Sequence, residues 1–418
     1  MPANPLNPDV ADPVAQRLTA IETTLAKSEE VQPKTEREEI DDQISAIEGR
    51  NSPYVGGSSV LQNRSGQAGY DKLITEEGDL ETSTAINNRF RLTLIARPVF
   101  LDSGTADGTS TLRFGLLPTG VAPPAVSASG IGAEVQLSTP DFGLRFGSSQ
   151  REFLVRNWIG GVRYRPGNGH FTFVFNRDNV KDTMLSYSGS RDPLTNQVWG
   201  GVLANAYQVI GNWGDGNSGF YTNFSYQSIT GDNVASNWRI DGTAGTYWKV
   251  YTRPEGSLTA GLNVSAMHYN LNLRYFTFGQ GGYFSPQQYL LFNIPVRWSG
   301  TWHRQLQYSI SGSLGYQHFV EDTSPYFPSL PLLQGPSGSF YSGQTTTAAN
   351  YNVDARIAFQ VSPNWLVGIF ASANNTRDYN VAALGFYVKY LFQPRPLQQD
   401  LMLPSIPGWK GVQPFTLP

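Results

Sequence analysis

Cysteine is absent from the 418 residues, which removes disulfides, thiolate nucleophiles and thiolate metal sites together. Charge is scarce: Asp, Glu, Lys and Arg make up 15% of the chain, well under the roughly 25% of an average soluble domain. Something other than water must therefore cover much of the surface. No run of about 18 apolar residues occurs, and this excludes a transmembrane helix by the length needed to cross the hydrocarbon core. The histidines, His170, His268, His303 and His318, fall on separate segments, and no H-E-x-x-H, G-x-S-x-G or phosphate-loop pattern is present. Bond chemistry and cofactors thus have little foundation, and no enzyme is expected. No basic and then apolar leader follows Met1, so the start reads as that of a processed form.

What the chain does have is aromatic residues, at 13%, and 43 glycines. From Ser52 onward the apolar period is two for over three hundred residues. Trp238, Ile240, Ala244, Trp248 and Val250 share one face of a strand, with Arg239, Asp241, Thr243, Tyr247 and Lys249 on the other. One face suits lipid and the other water. The alternation predicts an all-β fold of 16 antiparallel strands, near 53–65, 72–85, 88–102, 130–139, 142–148, 156–165, 170–179, 197–210, 217–229, 236–250, 256–269, 287–299, 304–315, 349–361, 363–373 and 381–392. Short turns, as at Pro140-Asp141 and Pro363-Asn364, interleave with long loops near 103–129, 180–196, 270–286 and 316–348. This is the pattern of a transmembrane β-barrel of a Gram-negative outer membrane, with both termini on the periplasmic side. A soluble sandwich seldom runs to so many strands in one domain. Trp158, Trp248, Trp298, Trp302 and Tyr390, near strand ends, fit interfacial girdles. Leu384, Phe386, Val388, Tyr390 and Phe392 give the last strand an alternating apolar face like the C-terminal signal read by outer-membrane assembly machinery.

Two segments flank the barrel region, 51–392. Residues 1–50 carry 11 acidic and 5 basic groups, a net charge of −6. Within them Asp12-Pro13 starts an amphipathic helix through Val14, Leu18, Ile21 and Leu25, and Thr35 with Glu38 caps a second through Ile40, Ile44 and Ile47. These read as a short periplasmic helical neck, either a docking surface or a plain linker. Residues 393–418 hold six prolines and cannot form another strand. This tail, with Trp409 and Phe415, is expected either to fold back as a lumen plug or to hang as an unstructured extension.

Inside the barrel, the expected contacts to a sugar chain are Arg239, Asp241, Tyr247, Asn263, Tyr269, Tyr289 and Arg297, since aromatic rings stack on sugar faces and planar polar groups satisfy hydroxyls. General porins use the same residue types. No Lys/Arg ladder accompanies the inward faces, so neither nucleic acid nor a strongly anionic polymer is the expected cargo, and a neutral one suits better. Glu76, Glu77 and Glu81 could in principle supply a carboxylate pair for glycoside cleavage, but are read as lumen residues. The loop 270–286, with Tyr275, Phe276, Phe278, Tyr283 and Phe284, is the candidate outer gate, hinged by its glycines. A static lid is the alternative.

Several stretches carry a family resemblance: NRSGQAGYDKL at 63–73, RPVFLDSG at 97–104, DTMLSYSGSRDPLTNQVWGG at 182–201, TGDNVASN at 230–237, YFTFGQGGYFSPQQYL at 275–290 and TSPYFP at 323–328. Together they resemble the C-terminal barrel domain of the outer-membrane cellulose exporter family, the C component of bacterial cellulose synthase, from about Ser52 to Phe392. The resemblance implies an outer-membrane barrel that passes a cellulose chain from periplasm to cell surface. It also implies periplasmic and inner-membrane cellulose synthase subunits as partners, and a tetratricopeptide region ahead of the barrel. The helices before Arg50 would be the end of that region. The alternatives are a general diffusion porin and, from another class, a β-rich glycan hydrolase.

Overall fold

Alternation along each strand decides the architecture. The structure, a computed structural model, describes residues 52–86, 89–105, 126–167, 169–193, 195–253, 255–303, 305–375 and 378–393. The helices expected in 1–50, and the tail with Trp409 and Phe415, lie outside the described residues.

Sixteen long strands follow one another: β1 (Tyr54–Arg64), β2 (Leu73–Ile86), β3 (Phe90–Asp102), β4 (Ser127–Ser138), β5 (Phe142–Ser148), β6 (Trp158–Tyr164), β7 (Phe171–Asn179), β8 (Val198–Gly214), β9 (Ser218–Asp232), β10 (Asn237–Arg253), β11 (Gly256–Tyr269), β12 (Gln288–Trp302), β13 (Leu306–Glu321), β14 (Gln344–Ser362), β15 (Trp365–Asn374) and β16 (Val381–Leu391). Each pairs antiparallel with its chain neighbours, and β1 pairs with both β2 and β16, so the sheet closes with no edge. Closure satisfies every ladder from within, which is what a wall facing hydrocarbon requires.

Outward side chains are apolar and uncovered, among them Leu314, Ile369, Leu384, Phe386, Phe146 and Leu262. Their inward neighbours are polar and buried, such as Gln227, Asp241, Asn293 and Ser313. Trp248, Trp298, Trp302, Trp365 and Tyr390 ring the outside at the short-turn end, and Trp158 lies at the loop end, stacked on Phe146 at 5.4 Å. The last strand turns Leu384, Phe386 and Phe392 outward as its alternation predicts.

Closure also constrains proline, which cannot retreat to an edge strand. The β2–β3 ladder skips from Glu77↔Val99 to Leu80↔Ala96 around Pro98, and the β11–β12 ladder skips from Ala260↔Val296 to Asn263↔Asn293 around Pro295. At the short-turn end, the carboxylate of Asp215 accepts the backbone N–H groups of Ser218 at 2.8 Å and Asn217 at 2.9 Å. These bonds hold its carboxyl below the usual carboxylate range and tie the β8–β9 turn without a proline.

Strand lengths differ from expectation at the loop end. β13 and β14 run on to Glu321 and back to Gln344, beyond the expected 315 and 349. Their extra outward residues include the polar His318, Thr345 and Thr347 beside Tyr316 and Val320. Apolar alternation is therefore broken here, while the hydrogen-bonded ladder continues. By contrast β5 and β6 have 7 residues each, against 16 in β13 and 19 in β14. The rim is low over β5–β7 and high over β13 and β14.

Candidate functional site: the polar lumen and its inward-folded loops

The inward faces enclose a cavity of about 710 Å³. One wall, β2 to β7, is built from opposite charges brought together from separate strands. The Arg97 guanidinium on β3 donates to Asp79 at 2.6 Å and lies 3.3 Å from Glu77 on β2. It also lies 3.8 Å from Glu134 on β4, whose other neighbour is Arg145 of β5 at 3.2 Å. Arg145 continues to Asp178 on β7. Near the seam, Lys389 meets Glu81 at 3.0 Å. No contiguous basic run exists in the sequence, yet closure sets cations from β3, β5 and β16 beside acids from β2, β4 and β7. The carboxylates read as lumen residues divide accordingly. Glu77 and Glu81 point inward and are ion-paired, whereas Glu76 is exposed on the outer face, because period two puts it on the opposite side from Glu77.

The other wall, β8 to β14, carries hydroxyls and amides with isolated charge pairs. Arg239 donates to Asp241 at 2.7 Å and to the Tyr269 hydroxyl at 3.1 Å. Asp354 accepts from Arg356 at 2.9 Å. Arg239, Asp241, Tyr269, Tyr289 and Arg297 all line the cavity. Asn263 points inward and is buried, accepting from the Tyr221 hydroxyl at 3.0 Å. Tyr247 departs from expectation. The phenol end of its ring lies against Gly214 and Gly219 near the short-turn end, so close that a Cβ at Gly219 would sit 2.5 Å from it, and it does not line the cavity. The parity was right, but an inward ring beside a cross-strand glycine folds onto the wall.

The other two tyrosines expected to stack on sugar are engaged in packing. Tyr269 joins a core with Tyr283, Phe276, Phe278, Leu273, Trp199 and Leu185. Tyr289 sits against Phe284 and Phe319, its hydroxyl donating to Gln317 at 3.1 Å. This core exists because loop 270–287 turns into the barrel rather than away from it. Phe276, Phe278, Tyr283 and Phe284 are buried, and burial raises the Tyr283 phenol pKa. Tyr275 is only half-buried and stacks on Tyr341 at 3.7 Å, which in turn stacks on Tyr326 at 4.2 Å.

The loop is pinned on two sides. Toward loop 322–343, the Gln280 amide donates to Ser324 Oγ and Pro325 O, both at 2.8 Å, and the Ser324 hydroxyl donates to Asn272 O at 2.7 Å. Toward loop 180–197, the Thr183 hydroxyl donates to Gly282 O at 2.7 Å and Asp182 accepts the Phe284 N–H at 3.1 Å. Gly282 has φ 67°, and a Cβ there would meet Thr183 Oγ1 at 2.9 Å. Its conformational freedom is used for close packing. Thr183 also caps the short helix α1 (Met184–Ser188), whose residues are all buried. Lys181, just before it, reaches Glu77 at 2.8 Å and lies 4.9 Å over the Tyr187 ring. Burial pushes the Tyr187 phenol up to about 12. Sequence reasoning pointed to the aromatic loop and missed these anchors in 180–197, which carry the chemistry in single residues.

With the geometry in view, comparisons identify the relatives. Residues 71–393 match the family described as "Cellulose synthase operon protein C C-terminus". Cellulose synthase operon protein C of Pseudomonas fluorescens (strain SBW25) is 33% identical over 362 residues, covering 83% of this chain and 28% of the relative. That of Komagataeibacter xylinus is 31% identical over 384 residues, 80% of this chain and 29% of the relative. The chain thus spans less than a third of the length of these curated relatives. Among solved structures, a bacterial polysaccharide outer membrane secretin shares the fold, with a TM-score of 0.52 at 10% identity over 82% of this chain and 99% of that one. A match over most of the barrel, carried by its walls and inward loops alike, places the chain in the cellulose synthase operon protein C family, as a representative of the C-terminal barrel.

Proposed function

We propose that the barrel sits in the outer membrane and conducts a neutral β-glucan, cellulose, from the periplasm to the cell surface. The observation that carries this reading is the charge-balanced lumen rich in hydroxyls and amides, in a chain whose family is named for a cellulose synthase operon. A moving polymer needs many weak contacts rather than one tight site. Paired charges and short polar side chains offer such contacts without holding an ion or a sugar in place. No bond chemistry is involved, and the driving force comes from polymer synthesis elsewhere. Periplasmic and inner-membrane synthase subunits are the partners that supply the chain.

In this reading Arg239, Asp241, Asn263, Tyr269, Tyr289 and Arg297 belong to the glucan path, and loop 270–287 is its outer gate. The buried aromatic cap supports the gate over a general diffusion porin, because it fills the loop end of the lumen. Displacing it would free Tyr269 and Tyr289 from their packing partners and expose their rings to passing sugar. The segments 1–50, as a periplasmic linker, and 393–418, as a lumen plug, complete the proposal.

The test is planar-bilayer conductance of the refolded protein, with cello-oligosaccharides titrated against maltodextrins of equal length. Length-dependent block by the cello series alone is the expected result. Open conductance without discrimination would instead favour a general porin, and release of new reducing ends would favour a hydrolase. Alanine at Tyr275, Phe276 and Phe278 should raise conductance, and no change would remove the gate. Deletion of 394–418 with unchanged conductance would remove the plug.

A further inference from the structure

On the outer face, strand positions are apolar almost throughout, and a cation there is conspicuous. Arg177 on β7 follows Phe171, Phe173 and Phe175 on the outward side, at the loop end of the strand. Its guanidinium donates to Trp158 O at 3.0 Å and to Asn205 Oδ1 at 2.8 Å. These two bonds hold it beside the girdle tryptophan, where lipid gives way to headgroups. Immediately above, over the low rim of β5–β7, loop 149–157 folds with Phe153 and Val155 inward and buried, leaving Arg151, Glu152, Leu154 and Arg156 exposed. The carboxylate of Glu152 is taken by the Ile131 N–H at 2.8 Å. Arg151 and Arg156 thus flank one acid on the loop, and Arg177 lies on the strand below beside Trp158, whose stacking on Phe146 ends the apolar belt.

We propose that this rim is a binding site for the phosphate groups of the outer leaflet's glycolipid, with Arg151, Arg156 and Arg177 as the phosphate ligands and Trp158, Phe146 and Leu154 against the acyl–headgroup boundary. Guanidinium groups match phosphate oxygens in a planar, two-toothed geometry, and an aromatic ring at the same level is the usual anchor of a membrane interface. Basic clusters at headgroup depth recognise anionic lipids by their phosphates. The low rim matters because it brings loop residues down to the headgroups, whereas over β13 and β14 the ladder lifts the loops above them. The inference rests on the outer-membrane reading and not on the identity of the cargo.

The test is a titration of the refolded full chain in detergent, read by native mass spectrometry, with bisphosphorylated lipid A as the probe. The arms are the same lipid with its phosphates removed, phosphatidylglycerol, and inorganic phosphate. Saturable binding of the phosphorylated lipid is expected, weakened about tenfold or more by dephosphorylation and to a similar degree by the triple variant Arg151→Gln, Arg156→Gln, Arg177→Gln. The variant Arg163→Gln, Arg165→Gln, at the opposite end of the same wall, should bind as the unaltered chain does. The triple variant Arg151→Lys, Arg156→Lys, Arg177→Lys should recover part of the affinity. Heat-modifiable migration on gels establishes that each variant has folded. Equal binding of the dephosphorylated lipid would mean a merely greasy contact. Equal binding of phosphatidylglycerol would mean unspecific anion attraction, and binding of inorganic phosphate without preference for the lipid would mean a soluble-anion site. Any of these, or unchanged affinity in the glutamine variant, overturns the proposal. Cello-oligosaccharide block is unaffected by all of them, so the two readings fail separately.

Discussion

At the scale of single residues, the lumen is organised by where acids fall between cations. Glu134 is the clearest case: its side chain is 2% exposed and lies between Arg97 and Arg145. Glu134→Gln leaves two guanidinium groups facing each other across the removed charge. Breaking a buried pair costs about 3–5 kcal/mol. The lower end is expected here, about 3 kcal/mol, because Arg97 keeps Asp79 and Arg145 keeps Asp178. Urea unfolding in liposomes would measure it, and ion selectivity should shift toward anions in the same variant. This network was not legible in the sequence, since its members lie one to a strand and meet only through strand register. Tyr247 teaches the converse. Its parity was readable, but its side chain settles on Gly219 across the strand pair, a neighbour that only the register reveals.

Among elements, the loops carry the proposed gate. Loop 270–287 could be recognised from its aromatic and glycine content, because few other segments combine buried-type rings with turn residues. Its direction could not, because an outer loop and an inward cap share a composition. The anchors in 180–197 and 322–343 are single hydrogen bonds with no spacing signature. They predict a graded response. The Tyr275–Tyr341–Tyr326 stack links two loops, and each aromatic pair contributes about 0.5–1.5 kcal/mol beyond its area. Tyr341→Ala should therefore increase the fraction of time spent open by about tenfold in single-channel records. Gln280→Ala, which removes the donor to Ser324 and Pro325, should act in the same direction. Closed-state dwell times identical to those of the unaltered chain would show that these contacts do not hold the cap.

For the whole molecule, the even strand number, the short turns and the outward apolar face were all written in the period-two pattern, and the closed sheet follows from them. The exact rise of each strand was not, because polar outward residues break the pattern while the ladder continues, as at His318 and Thr345. The cavity is lined by eight basic side chains (Arg64, Arg97, Arg145, Lys181, Arg239, Arg297, Arg356, Lys389) and seven acidic ones (Asp79, Glu81, Glu134, Asp178, Asp182, Asp241, Asp354), and buried Glu77 brings the two totals level. A lumen so balanced should discriminate little between small ions, with potassium and chloride permeabilities within roughly a factor of two. The reversal potential in a potassium chloride gradient measures this. A strongly selective pore would contradict a neutral cargo.

The uneven rim has a directional consequence. Among the described strands, β13 and β14 carry the wall furthest at the loop end, while β5 and β6 are short. The mouth is therefore cut on a slant, like a spout. In the proposed reading a stiff polymer leaving it is backed by the β-sheet of β13 and β14 on one side. In that reading it would be turned sideways toward β5–β7, along the cell surface.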